Sequence, residues 1–453
     1  MSERKNFSSH IGFVLAAAAS AIGLGNLWRF PPLAAKYGGG IFLLIYLILA
    51  FTLGFVLMIT EIAIGRKTGK SAMWAYGALS KKWHFLGILA IVVGCIILPY
   101  YSVIGGWVME YGALYITNNA AVTLDPTFFN SFISSTYTPV IWTLIFTALT
   151  AFVLLFGITK GIQRASVIIL PVLIVLMIGI SVYCLTLPGG LDGLAYYLIP
   201  DFSRFSGEAV LEAMGQTFFS LSLAMGIMIT YGSYLSKKES IEKSVTQIEL
   251  FSAGTTILAG LLIIPAVFVF SGGDMSVLQS GPSLMFTQMP LVFDSMGCGP
   301  IMGAVFFICV FFAAITSSIS LFEVPVSALI DKFKVARWKA VGIVFLGVAS
   351  IALIVNFGYS IWSDFMVGRY HILELMDAVS NNVLMPVLAL FTCIFIGWIV
   401  KGRTKIISDE IEVSSKFATK KFYTVMIKFI APVCLFLILC FMVQKALIEL
   451  GLS

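Results

Sequence analysis

Eleven apolar runs follow one another almost without pause, at roughly 11–36, 41–64, 85–116, 138–157, 165–187, 208–235, 245–271, 297–330, 340–357, 371–400 and 423–449. A bilayer's hydrocarbon core is ~30 Å thick and takes about 20 apolar residues of helix to cross. Within it every backbone N–H and C=O must find a partner in the protein, which leaves helices as the spanning structure for runs of this length. The chain therefore reads as an all-α integral membrane protein with about eleven transmembrane helices. Its 453 residues are 59% hydrophobic and only 11% charged, where a soluble protein has about 25% charged residues. That excludes a globular enzyme, a nucleic-acid binder and a secreted disulfide scaffold.

The net charge of +6 reports topology rather than a polyanionic partner. With the N-terminus placed in the cytoplasm, 22 of the 28 Lys and Arg residues fall in inside segments, as the positive-inside rule requires. Eleven spans then put the C-terminus outside. The outside connections 117–137, 188–206 and 272–296 are turn-rich and too short for a separate domain, so 1–453 forms one transporter-like unit. The charged stretch 401–421 reads as a solvated cytoplasmic connector. The seven cysteines lie singly, without metal-ligand spacing, and read as packed thiols. Met1 to His10 lacks a small-residue cleavage site and does not read as a removable signal.

Two runs are interrupted. Ser20-Ala21-Ile22-Gly23-Leu24-Gly25-Asn26 places two glycines and two polar side chains mid-span, and Ser220-Leu221-Ser222 with Gly226 falls at a similar depth in the sixth run. Small residues also serve close helix crossings, but glycine weakens a helix by ~1 kcal/mol. Unwound backbone at membrane depth is tolerated only where it is buried in protein or lines a cavity. Matching interruptions in the first and sixth spans fit a five-plus-five inverted repeat, 1–187 and 208–400, followed by an extra helix at 423–449, with a binding site at midplane. A half-helix N-terminus suits a carboxylate and freed carbonyls suit Na⁺, so an amino-acid zwitterion fits. Ile97, Met225 and Leu321 would wall its side chain.

Ionisable residues within spans are functional candidates. Arg29 and Asp377 lie toward the outside, Arg4 and Asp331 at cytoplasmic ends; Glu61, Glu110, Glu249 and Glu323 read as structural or hydrogen-bonding groups. The run Gly65-Arg66-Lys67-Thr68-Gly69-Lys70-Ser71 has three rather than four residues between its glycines and no strand before it, so it is a basic loop and not a phosphate loop. Three histidines without an HExxH pattern leave little material for catalysis.

Gly23-Leu24-Gly25-Asn26-Leu27-Trp28-Arg29-Phe30-Pro31 followed by Gly38-Gly39-Gly40 is very similar to the opening signature of the neurotransmitter:sodium symporters. Phe218-Phe219-Ser220-Leu221-Ser222 resembles that family's broken sixth helix, and Ala313-Ala314-Ile315-Thr316-Ser317-Ser318 its eighth-helix sodium motif. The resemblance covers essentially the whole chain, and eleven spans match the bacterial amino-acid transporters of the family, which places the protein in the inner or plasma membrane.

The resemblance implies one Na⁺ held by carbonyls of Ala19, Ile22 and Ala313 with the hydroxyls of Thr316 and Ser317. A second would touch Ala21, Asn26, Ser220, Ser252 and the substrate carboxylate. That carboxylate would meet the amides around Leu24 and Gly25 and the hydroxyl of Tyr101, while the amine would meet carbonyls of Ala21, Phe219 and Ser222; Ser20, Ser220 and Ser317 complete the substrate set. Phe219 and Tyr101 would close the outer side beneath Arg29 and Asp377, and Arg4, Tyr234 and Asp331 would form the inner gate. Gly161 and Pro171 resemble a fifth-helix motif that unwinds locally. The seventh helix departs from the pattern, with Phe251-Ser252 where an Asn or Asp is expected. This neutral ligand implies a chloride site of Tyr46, Gln216, Ser220 and Ser252 or Thr255.

These readings converge on a Na⁺-coupled symporter importing L-amino acids, large hydrophobic or aromatic ones because Met225 makes a deformable wall. Its partners are a small-molecule substrate and the lipid bilayer, and no nucleic acid. The competing readings are a proton-coupled or exchanging transporter of the same fold, an ion channel built from the same helices, and an intramembrane enzyme, for which no nucleophile–base pair or metal cluster is found.

Overall fold

The computed structural model describes residues 6–278 and 281–449. Among the described residues nine helices are long and apolar enough to cross a membrane alone: Gly40–Thr68, Lys81–Ile116, Thr138–Leu155, Ile158–Thr186, Ile241–Phe270, Gly299–Phe333, Arg337–Phe357, Ile372–Ile399 and Lys420–Lys445. A tenth crossing is made by His10–Ala21 and Gly25–Lys36, bent by 45°. The remaining apolar run is split into Gly207–Ser220 and Ile227–Gly232, neither half long enough by itself. In chain order these are spans 1 to 11, the split runs being spans 1 and 6. Shorter helices lie in the connections, and no β-strand occurs among the described residues.

Each break has a local cause. Span 1 leaves helical geometry at Ile22, whose φ of −95° and ψ of 89° end the ladder after its N–H has reached Ala18 O. The carbonyls of Ala19, Ser20 and Ala21 thereby lose their helical donors. In span 6 the left-handed conformation recurs at alternate residues, Ser222, Ala224 and Gly226, with φ of 51°, 57° and 75°. For Ser222 and Ala224 that costs of order 1–2 kcal/mol each. Such alternation turns successive N–H groups to one side and makes a small anion-binding concavity. The concavity is filled from within the protein: Glu61 of span 2 accepts the Ala224 N–H at 2.8 Å.

The lysine-rich connections gather at one end of the bundle, and that end is sealed. Phe7 donates its N–H to Tyr234 O at 3.1 Å and packs edge-on against Phe13 and Tyr231. Ser8 and Gln163 exchange hydrogen bonds of 2.9 and 2.7 Å, bolting the start of span 1 to span 5. At the opposite end an aromatic plug, Phe286 stacked on Phe129 and tilted against Tyr111, covers spans 3 and 8.

Two expectations are corrected. The stretch 401–421 is not a solvated connector: it contains a helix, Lys405–Glu412, that buries Ile407, Glu410 and Ile411. Arg66 explains why. Its Nε donates to Glu410 Oε1 at 2.8 Å, its Nη2 to Glu410 O, and its Nη1 to Glu239 O at 2.5 Å, while Lys237 Nζ reaches the same carboxylate at 2.5 Å. Glu242 caps the amides of Ala418 and Thr419, both at 2.9 Å. Charged residues that read as solvent-facing thus clamp the connector to spans 2 and 7. In span 5, the segment after Gly161 is not unwound: Arg164–Thr186 is continuous helix with Pro171 inside it, preceded by a π-turn at Ile158–Gln163.

Removing one partner of a buried ion pair strands the other, at ~3–5 kcal/mol. Glu410→Gln is therefore expected to lower the thermal unfolding midpoint in detergent by several degrees, whereas Lys70→Gln, at an exposed site, leaves it within a degree or so. Equal midpoints for the two variants would show that the clamp contributes nothing.

Candidate functional site between the broken spans

The two breaks face each other. Ser222 Oγ donates to Ser20 O at 2.9 Å, and Ser317 Oγ of span 8 donates to the same carbonyl at 3.0 Å and lies 3.5 Å from Ile22 O. From span 3, the Tyr101 hydroxyl accepts the Leu24 N–H at 3.1 Å. Spans 1, 3, 6 and 8 thus meet through backbone groups that no helix satisfies.

Between them lies a cavity of about 20 Å³ lined by Ser20, Gly23, Gly25, Asn26, Ile97, Tyr101, Phe219, Ser222, Met225, Ile227, Ser317 and Leu321. Its wall is polar toward the breaks and apolar on the opposite side. At this volume it has room for a water or two, so any larger guest needs Phe219 and Met225 to move. Phe219 closes it: a Cβ on Gly25 would lie 2.0 Å from the Phe219 ring. Three residues singled out from sequence, Ala21, Leu24 and Ser220, are not in the lining and stand behind it. Gly23 and Ile227, which the sequence reading passed over, are in it. Gly23 is there because a side chain would meet Ser317 Oγ at 2.8 Å and Tyr101 Oη at 3.0 Å.

The oxygens nearby suit a hard monovalent cation. Ala313 O and Phe312 O both receive the Thr316 hydroxyl, at 3.2 and 2.9 Å, so its lone pairs stay available next to those of Ser317. Ser317 Oγ also reaches Ile22 O, at the end of the first half-helix, at 3.5 Å. In a second group, Asn26 Oδ1 is buried without a hydrogen-bond partner while its Nδ2 lies 3.5 Å from Ala21 O. Gln216 Nε2 donates to Ser220 Oγ at 2.8 Å and to Gly25 O at 3.1 Å, and Ser252 Oγ donates to Ser220 O at 3.2 Å.

Next to that group runs a chain of buried hydroxyls. Tyr46 Oη lies 3.2 Å from Thr256 Oγ1, which donates to Ser252 O at 2.9 Å. Thr256 takes the place that the sequence reading gave to Thr255, whose hydroxyl turns back to Phe251 O on its own helix. One turn away, Glu249 is 1% exposed, and neither carboxylate oxygen has a hydrogen-bond partner. Among the four glutamates of the sequence reading, Glu110 is only half-buried, and Glu249 differs from Glu61, bonded to Ala224, and Glu323, which takes Arg337 Nη1 at 3.2 Å and the Tyr234 hydroxyl at 2.8 Å.

The paired charges flanking the cavity are arranged differently from expectation. Arg29 and Asp377 line one cavity of about 320 Å³ at the end away from the lysine-rich connections, but they form no ion pair within 4.0 Å. Arg29 Nη2 instead lies 3.8 Å from Glu212 Oε2, and Glu212 also binds Lys445 of span 11. Asp377 Oδ1 accepts from Asn381 Nδ2 at 2.6 Å. Sequence reading passed over both Glu212 and Lys445, although a lysine near the outer end of the eleventh run was signal enough. At the other end, Asp331 Oδ2 accepts the Ser71 N–H at 2.8 Å and Tyr234 joins Glu323; Arg4 lies outside the described residues.

Comparison with known proteins gives a consistent picture. A family model described as the sodium:neurotransmitter symporter family matches residues 4–131 and 133–450. A sodium-dependent transporter of Bacillus subtilis, YhdH, is 34% identical over 97% of this chain and 98% of its own, and one of Haemophilus influenzae is 31% identical over 96% and 97%, both of uncharacterized substrate. A human sodium- and chloride-dependent GABA transporter is 26% identical over 88% of this chain and 74% of its own. Among solved structures, MhsT in complex with L-phenylalanine superposes with a TM-score of 0.86 at 33% identity, covering 96% of this chain and 99% of that one.

The contact of Phe219 with Gly25 yields a direct check. Gly25→Ala overpacks the closed site and is expected to cost ~1–3 kcal/mol, lowering the unfolding midpoint, while Gly254→Ala, with nothing within 4 Å of the added carbon, does not. Adding Phe219→Ala to Gly25→Ala should relieve most of the loss; an unrelieved loss would contradict the contact.

Proposed function

Because the chain belongs to the sodium:neurotransmitter symporter family, we propose that it couples Na⁺ entry to uptake of large hydrophobic or aromatic L-amino acids by alternating access. The observation that carries this reading is the pair of facing breaks, with carbonyls freed from the helical ladder and a half-helix end beside Tyr101 on one side and Ile97, Met225 and Leu321 on the other. A zwitterion needs the first group and an apolar side chain the second. Met225 is unbranched and can repack around guests of different shape. The phenylalanine bound to MhsT supports a substrate of this size.

In this reading Ala19, Ile22, Ala313, Thr316 and Ser317 hold one Na⁺, and Ala21, Asn26 and Ser220 with Ser252 hold a second that also meets the substrate carboxylate. Leu24 and Gly25 amides and the Tyr101 hydroxyl take that carboxylate, and the carbonyls of Ala21, Phe219 and Ser222 take the amine. The lysine-rich end faces the cytoplasm by the positive-inside rule, so the N-terminus is inside, the C-terminus outside, and the arrangement described above is closed inward. Na⁺ drives transport only if it binds the substrate-competent arrangement better than the alternative, which follows when ion and substrate complete the same unwound backbone. Spans 1–5 and 6–10 form the two repeats that rock against each other.

For the anion, neutral Ser252 favours a chloride held by Tyr46, Gln216, Ser220 and Ser252. The buried, unpartnered carboxyl of Glu249, one turn from Ser252, favours a second reading in which that side chain takes the place of the chloride.

Uptake of labelled tryptophan, leucine and alanine into proteoliposomes tests this. An inward Na⁺ gradient should accumulate the first two above alanine, and choline should abolish accumulation. Thr316→Ala and Asn26→Ala, each removing one ligand worth ~1–2 kcal/mol, should raise the half-saturating Na⁺ concentration about tenfold. Equal uptake in choline, or unchanged Na⁺ dependence in both variants, would overturn the assignment. Replacing chloride by gluconate should stop uptake if chloride is the anion; if Glu249 serves, gluconate has no effect until Glu249→Gln is introduced.

A further inference from the structure

Arg29 stands between two carboxylates, and the cation that decides between them comes from span 11. Glu212 of span 6 is 2% exposed, and its two oxygens divide their partners: Oε1 binds Lys445 Nζ, and Oε2 lies 3.8 Å from Arg29 Nη2. Arg29, Glu212, Asp377 and Lys445 all line the same 320 Å³ cavity above Phe219, so the guanidinium and Asp377 face a common space. The three elements meet at Gly215, where an added carbon would touch Met442 of span 11 at 2.8 Å and Arg29 Nη2 at 3.7 Å. Lys445 is also anomalous by the charge bias of the chain, a lysine at the outer end of a span where inside lysines predominate. A lysine kept there has a local use.

We propose that Lys445 is a positioning residue for the outer gate: by neutralising Glu212 it loosens that carboxylate's hold on Arg29 and leaves the guanidinium free to move onto Asp377 and close the vestibule. The inference rests on the reading above only for which end is outer. A buried carboxylate with one cation partner holds it tightly, because little solvent screens the pair. With Lys445 on Oε1, the Glu212–Lys445 unit has no net charge, and Arg29 is held at long range by a group already satisfied. Deleting Lys445 leaves Arg29 as the counter-ion of Glu212 and detains it away from Asp377, so the gate stays open. Deleting the Glu212 charge leaves Lys445 facing Arg29 and drives the guanidinium toward Asp377, so the gate closes. Span 11, the helix outside the two repeats, thereby tunes a closing step made by spans 1, 6 and 10.

The test reads gate opening without any substrate. Leu33 lines the vestibule, and a cysteine there, Leu33→Cys, is labelled by a membrane-impermeant methanethiosulfonate in Na⁺ buffer, the signal of the parent lacking that cysteine being subtracted. Lys445→Met should raise the labelling rate about fivefold and Glu212→Gln should lower it by a similar factor, a coupling in the ordinary range for linked sites. Lys445→Arg should keep the parent rate, and Glu212→Gln with Lys445→Met should return to within about twofold of it, since neither charge remains. Movement of the two single variants in the same direction, or a double variant as far from the parent as either single, would overturn the proposal and mark the cluster as structural. Labelling that follows the pattern in a protein that accumulates no amino acid would sink the transport reading and leave this one standing.

Discussion

Backbone that has lost its helical partners cannot face lipid, and the rest of the structure answers that constraint. Spans 1 and 6 each give up hydrogen bonds at mid-depth, and each freed group is either bonded across the gap or kept as a lone pair. Glu61 takes the Ala224 amide, Ser222 and Ser317 share Ser20 O, and Tyr101 takes the Leu24 amide. Left over are oxygens on Asn26, Thr316 and the end of the first half-helix. In the proposed reading a cation and a zwitterion complete them, which makes binding and gating depend on the same unwound residues. Without those ligands the breaks would be a cost with no return.

The two ends of the molecule are in different states. At the lysine-rich end, Phe7, Gln163 and the Arg337–Glu323–Tyr234 cluster tie spans 1, 5, 6, 8 and 9 together, and the connector after span 10 is clamped by Arg66 and Glu242. At the other end a cavity of about 320 Å³ leads down to Phe219, beneath which about 20 Å³ is left. In the proposed reading, Phe219 is the inner layer of the outer gate and the Arg29 charge cluster the layer above it. Motion of a ring and a guanidinium is small, whereas opening the opposite end requires several buried ion pairs and an aromatic cluster to separate together. Alternating access needs such an imbalance, to be reversed when the ions and substrate are in place.

Much of this was legible in the sequence, because the bilayer enforces simple rules. Run length gave the spans, the lysine bias gave the two ends, and polar or glycine residues at mid-run gave both breaks to within a few residues. Ile97, Met225 and Leu321, read as the wall of a side-chain pocket, and Tyr101, implied by the resemblance, all line the cavity. What failed depended on register or on distant partners. Thr255 and Thr256 differ by 100° around a helix, and composition cannot choose between them. The connector 401–421 looked solvated because its charges are many; Arg66, 344 residues away in sequence from Glu410, makes it otherwise. Arg29 and Asp377 were legible as flanking charges and line one cavity, but the Glu212–Lys445 pair beside Arg29 was not.

The central claim is that cation and amino acid complete one site. Equilibrium binding of labelled tryptophan to the purified protein, measured across Na⁺ concentrations at constant ionic strength with choline as balance, tests it most directly. The account predicts that affinity rises with Na⁺ by at least about tenfold, a coupling of ~1.4 kcal/mol, and that tryptophan raises Na⁺ affinity by the same factor, as linkage demands. Tryptophan binding of equal strength in choline would contradict it.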